Sequence, residues 1–304
     1  MPAALAYSEG NLYYPSEPQV TPIIQSMSVD DLSVQTLPVT WPGDPLLADD
    51  LWVEGDHLLV TGFEQFFSIP LAGGAAQLIY DGRAAGNTFP NSPYQTYTET
   101  DFFWTEFTEP LTTTVFRSSR SGGAPMMLGA VTNLVQGIAL AQDSVVLAGE
   151  AGGWAVPLDG SPVRTLAAGS PYFAGVDGQG IYFTQVTSNP DQAYLSLSPA
   201  DGGTAQLFWP AVPADAAPTQ VWSDGQGGWV VTGVQVFDDH HPHLAVWLVD
   251  AGGNGHLAAC DASADDSADA FFANLAPAVG PDAVYLVTEY LSGDDSWEID
   301  QIDR

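Results

Sequence analysis

The densest group of metal-ligating side chains in the 304 residues is Phe237-Asp238-Asp239-His240-His241-Pro242-His243. Four of the five histidines lie between positions 240 and 256, three of them within four residues. Imidazoles mixed with carboxylates suit Zn²⁺ or another borderline ion, whereas an all-oxygen set suits Ca²⁺. Acids follow on both sides of the next repeat: Asp261, Asp265, Asp266 and Asp269, then Glu289, Asp294 and Asp295. The candidate donors are therefore Asp238, Asp239, His240, His241, His243, Asp265, Asp266 and Asp294. A surplus of carboxylates gathered without a counterion repels itself, and a divalent cation, Zn²⁺ or Ca²⁺, would relieve that repulsion. Pro242 restricts the loop, so two imidazoles and one carboxylate are a more natural set than three imidazoles. The spacing matches neither His-Glu-x-x-His nor a calcium-binding Asp-x-Asp-x-Asp-Gly loop. The plain competing reading is a solvated polar loop in an acidic protein.

Other chemistries find less support. The chain has no Lys, which removes P-loop and Schiff-base chemistry, and no Gly-x-Ser-x-Gly elbow. Its five Arg are dispersed, so no cluster is available to hold a substrate carboxylate. Ser223-Asp224-Gly225-Gln226-Gly227-Gly228-Trp229 has the look of an Asp-box, but one residue short; turn chemistry explains it better. Cys260 is the single cysteine, with no cation beside it in sequence to make it a thiolate. The Trp residues on strand-like segments read as packing, leaving Trp41 and Trp209 as candidates for a sugar-stacking surface.

These residues need a scaffold, and the sequence repeats one. A turn bearing an acid and Gly precedes an apolar strand that usually ends in Thr. The clearest instances are Glu54-Gly55 before Leu58-Leu59-Val60-Thr61, Asp177-Gly178 before Ile181-Tyr182-Phe183-Thr184, and Asp224-Gly225 before Trp229-Val230-Val231-Thr232. The seven strands end at positions 15, 61, 105, 148, 184, 232 and 288. A second apolar strand, a tight turn such as Gly73-Gly74, Asp159-Gly160 or Gly202-Gly203, and a third strand complete each unit, with a further strand ahead of the first turn. Four antiparallel strands, A to D, in about 45 residues make a β-propeller blade. No stretch sustains a helical period.

Phe103-Trp104-Thr105-Glu106 and Tyr182-Phe183-Thr184-Gln185 resemble the Tyr-Trp-Thr-Asp signature of YWTD propellers. The run from Val176 to Gly203 is similar to a repeat of that kind and to TolB-like blades. Those families typically have six blades, and seven units are present here. The expectation is an all-β chain, one propeller domain over residues 1–304, with seven four-stranded blades and six as the alternative. The seventh unit, ending with Trp297 to Ile302, is expected to lack its outer strand D.

A net charge of −32, from 37 acids against five bases, excludes binding to a phosphate backbone and docking on an anionic membrane. No apolar run reaches bilayer length. The first residues lack the basic and apolar regions of a signal peptide. Together with the absence of Lys, the acidity fits an extracellular or periplasmic setting. The expected function is a non-enzymatic binding or scaffold role, as a monomer, with a protein or small-molecule ligand on the loop rim. The alternative is a divalent-metal-dependent hydrolase or lactonase of the calcium-containing propeller type, drawing on Glu64, Glu106, Glu150 and Glu289.

Overall fold

Alternation of apolar and polar residues, cut every few positions by Gly, Asp or Pro, leaves strands and hairpins as the only regular structure this chain can form. The computed structural model is accordingly all-β, with 30 strand segments and no helix among the described residues. It describes residues 5–16, 22–43, 50–62, 65–81, 95–98, 100–108, 111–119, 124–149, 151–168, 172–186, 193–236, 242–260, 270–272, 277–290 and 296–304. Seven antiparallel sheets follow one another along the chain, and they are the blades of a seven-bladed β-propeller.

The chain packs as two compact units, Met1–Ser92 with Asp266–Arg304, and Pro93–Asp265. The first holds blades one, two and seven; the second holds blades three to six. In six blades the order is A-B-C-D, as in blade five, with Tyr172–Asp177, Gly180–Val186, Ala193–Pro199 and Gln206–Trp209. Blade six runs Ala216–Ser223, Trp229–Val236, Pro242–Val249 and Gly255–Cys260. Blade seven differs among the described residues. Strand A is broken into Ala270–Phe272 and Ala278–Val279, both paired with strand B, Ala283–Tyr290. Strand C, Ser296–Asp303, pairs with the other side of B over eight residues. Among the described residues no strand lies beyond it.

Cores form where one blade packs on the next. Blades five and six bury Tyr182, Leu195, Phe208 and Trp209 against Val221, Val231, Ala245 and Trp247. Strand D of the earlier blade takes part each time in the second unit: Leu128 and Val131 reach blade four, and Leu166 reaches blade five. The hairpin turns are held by carboxylates. Asp31, Asp159, Asp201 and Asp250 each accept a backbone N–H two residues on, from Ser33, Ser161, Gly203 and Gly252. Such turns pre-empt the backbone groups that a reversing chain would otherwise leave unpaired. At Gly253, φ is +80° and a side chain would strike the Phe208 carbonyl, so only Gly closes that turn.

Candidate functional site

The His-rich segment begins at the end of blade six where strands B and C are joined. Pro242 opens strand C, the position at which a missing N–H costs a sheet least. His243 follows, and it is buried, with 7% of its surface accessible. It stands opposite Gln235 of strand B, itself buried, and alternates along its strand with Ala245, Trp247 and Val249. Directly opposed and alternate residues share a face, and this is the face that packs on blade five. His243 thus belongs to the end of the five–six interface. Asp238, Asp239, His240, His241, Asp265, Asp266 and Asp294 lie outside the described residues. Among the described residues no three His, Cys, Asp or Glu side chains are grouped to hold one ion. Cys260 pairs opposite Ala245 and therefore lies on the same face of the sheet as His243.

The opposite end of the same interface carries a polar chain that the sequence did not flag. Asp177 ends strand A of blade five, and Tyr182 is fully buried in strand B. The Tyr182 hydroxyl donates to Asp177 Oδ2 at 2.7 Å and accepts from Trp229 Nε1 of blade six at 3.2 Å. Asp177 Oδ1 accepts from Gln179 N at 2.8 Å and Gly180 N at 3.3 Å. Burial pushes the Asp177 carboxyl above its ordinary value, against the hydrogen bonds from Tyr182 and the turn amides, which pull it down. The Tyr182 hydroxyl is pushed up, first by burial and then by the Asp177 charge. Both carboxylate oxygens accept hydrogen bonds, from the turn and from Tyr182, and the Ser223 backbone of blade six also bonds Asp177, so the group ties two blades together. The signal for this chain was present as Asp177 and Tyr182 five apart across one turn, but nothing local points to Trp229.

Other polar groups are also drawn into the framework. Asp101 and Arg117 form a two-pronged pair in blade three, with both N···O distances 2.8 Å. Arg117 also lies over the Phe103 ring, 6.0 Å from its centre. The Arg117 guanidinium holds the Asp101 carboxyl below its ordinary range. Glu106 accepts from Trp104 Nε1 at 3.1 Å, two residues back on its own strand. Glu64 and Glu150 lie outside the described residues; Glu289 is placed on strand B of blade seven. Asp224 Oδ1 accepts from Gln226 N and Gly228 N, at 2.7 and 2.8 Å, which makes Ser223–Trp229 a turn between strands A and B. Neither tryptophan considered for sugar stacking is free to do it. Trp209 is buried against Trp247, with ring centres 5.8 Å apart. Trp41 meets Phe67 edge-on at 5.1 Å and donates to the Pro22 carbonyl at 3.1 Å. Trp209 was misplaced because it closes strand D, where the sequence reads as the start of a loop at Pro210.

No family model matches the chain, and no curated protein is similar to it in sequence. Solved structures share its fold. An oligogalacturonate lyase in complex with manganese superposes with a TM-score of 0.66 at 11% identity, covering 97% of this chain and 86% of that one. A puromycin-hydrolyzing peptidase of Mycobacterium tuberculosis gives 0.55 at 17% identity, over 83% of this chain and 44% of its own. The Pan2 WD40 domain of Neurospora crassa gives 0.51 at 10% identity, over 99% and 86%. At these identities the likeness is one of fold, and propellers carry unrelated functions on it.

Proposed function

We propose that this chain is a non-enzymatic β-propeller binding or scaffold protein, extracellular or periplasmic and monomeric, whose ligand seats on the loop rim. One observation carries the reading. Glu106, one of the acids weighed for catalysis, is held to the framework by Trp104 Nε1, as Asp101 is by Arg117 and Asp177 by Tyr182. His243 ends the five–six interface, and the Asp238–His241 sequence that precedes it is the part of the chain richest in groups that recognise a ligand. A divalent cation is its simplest ligand, taken by two imidazoles and a carboxylate.

A second reading, a metal-dependent hydrolase or lactonase, draws support from the fold shared with a manganese-complexed lyase. It also draws on a putative 6-phosphogluconolactonase from Bacteroides uniformis, matched with a TM-score of 0.51 at 15% identity over 84% of this chain and 83% of that one. Calorimetry with Zn²⁺ and Ca²⁺ tests the loop itself. Wild type should bind Zn²⁺ more tightly than Ca²⁺, and less tightly as pH falls through the ordinary imidazole value, about 6.5. The His240→Ala/His241→Ala variant should lose that binding while His243, in the core, is left intact. Equal heats for both proteins would reduce the cluster to a solvated loop.

A further inference from the structure

In blades two to six, strand D slips once against strand C. The last D residue before the slip is Leu78, Met127, Thr165, Leu207 and Leu257 in turn. All five are exposed, with Leu207 at 54% and Leu257 at 41%. Each stands on the face of its sheet turned to the preceding blade. Leu257 pairs opposite Trp247, which packs on blade five. Leu207 pairs opposite Ser196, which alternates with Leu195 and Leu197 and so faces away from blade six. Scattered exposed leucines are ordinary, but an apolar residue at the same register in four of five blades is a repeated feature of the outer wall. Bulges blunt a sheet edge against strand addition, so this wall offers side chains and not backbone.

Outer strands are commonly protected by charge as well. The D strands of blades one to six carry one acid, Asp81, and one base, Arg164, in a chain with 37 acids. The charge lies at the foot of each strand, in the turn from C to D. Asp159, Asp201 and Asp250 are exposed there, each fixed by the amide two residues on. Arg164 Nη1 donates to Asp201 O at 3.4 Å, and its Nη2 lies 3.6 Å from Asp143 Oδ1. Blades five and six, neighbours in the second unit, therefore repeat one pair: Asp201 before Leu207 and Asp250 before Leu257. The two blades are closely joined at this wall, because a Cβ on Gly255 would strike the Trp209 indole.

We propose that the outer wall of blades five and six docks a basic amphipathic helix of another protein, its apolar stripe over Leu207 and Leu257 and its Lys or Arg over Asp201 and Asp250. The uncharged strands accept an apolar stripe without burying an unpaired charge, and the carboxylates at their feet set the sign of the partner. An acidic partner is repelled by a chain of charge −32. A second copy brings its own carboxylates to the same place. A helix fits where a strand does not, because the bulged edge refuses backbone pairing while a helical stripe needs only side chains. The wall is a different surface from the rim proposed to hold the ligand, so either reading can fail alone.

The probe is a labelled leucine–lysine peptide of about 18 residues, with leucines at helical spacing, titrated by fluorescence anisotropy at low salt. The control has the same composition with the stripe scrambled. Wild type should bind the striped peptide roughly tenfold or more tighter than the control, from burial of two half-exposed leucines. The Leu207→Ser/Leu257→Ser variant should lose that difference with an unchanged melting curve. Asp201→Asn/Asp250→Asn keeps an acceptor oxygen for each turn; it should weaken the striped peptide severalfold and reduce its salt dependence. The His240→Ala/His241→Ala variant should bind like wild type, and loss of binding there would move the site to the rim and overturn the proposal. Equal binding of both peptides to wild type would reduce the effect to attraction by a polyanion and overturn it too. So would absence of binding, or affinity unchanged in Leu207→Ser/Leu257→Ser. Light scattering that shows a dimer abolished by that variant would put a second copy on the wall and equally overturn it.

Discussion

At Tyr182, one hydroxyl serves a carboxylate in its own blade and an indole in the next. Tyr182→Phe keeps the ring and its packing but removes the hydroxyl that the part-buried Asp177 Oδ2 and Trp229 Nε1 share. Unpaired buried groups cost about 1–3 kcal/mol, and equilibrium urea unfolding should show a loss in that range with the circular dichroism unchanged. A neutral substitution would mean that water takes the hydroxyl's place. The carboxylates also predict an acid response. Asp101, Asp31, Asp159 and Asp250 are held below the ordinary range by Arg117, Ser33, Ser161 and Asn254 respectively. A depressed value in the folded state contributes stability above the unfolded carboxylate value, about 3.9, and loses it as pH falls through the folded values. Asp177, raised by burial, works in the other direction: its cost to the fold grows as pH rises above the ordinary value. Since among the described residues four such groups oppose one, the melting temperature should fall on acidification below about pH 4. Asp101→Asn should lower stability at neutral pH by roughly 1 kcal/mol, discounted for the solvent around Arg117, and flatten that acid decline. Parallel pH curves for the two proteins would contradict the assignment.

Among the elements, the inner strands set the tightest tolerance. Strand A of blade five bulges between Phe173 and Gly175, and strand A of blade six between Pro218 and Gln220. At Gly175 a Cβ would run into the Val221 carbonyl oxygen of the adjoining inner strand, and backbone there cannot swing aside. Gly175→Ala should therefore destabilise by about 1–3 kcal/mol, as overpacking does, read as a lower urea midpoint at constant slope. A midpoint unchanged from wild type would show that the two strands can part without cost. Blade boundaries were legible because each depends on short-range chemistry: Asp-Gly turns, apolar strands ending in Thr, and a pattern repeated seven times. What an element packs against was not legible. Trp209 and His243 sit at strand ends beside Pro, where the sequence looks like loop, yet both are buried because the adjoining blade covers them.

For the molecule as a whole, the fold class was readable because the same four-strand pattern recurs along the chain. The use made of the acids was not. Of 37 carboxylates, many read as a charged surface, while Asp31, Asp159, Asp201, Asp224 and Asp250 are turn fasteners. That role follows from local hydrogen bonds that any Asp two residues before a free amide can make, so sequence alone does not separate it from solvated charge. The decisive measurement is elemental analysis of the purified protein after exhaustive dialysis, coupled to a screen for ester, lactone and uronate-polymer turnover with added Zn²⁺, Mn²⁺ and Ca²⁺. A binding propeller with an exchangeable rim cation should retain far less than one ion per chain and turn over none of these substrates. One firmly held ion per chain, with turnover that disappears in the His240→Ala/His241→Ala variant, would contradict this account and establish the metal-dependent enzyme in its place.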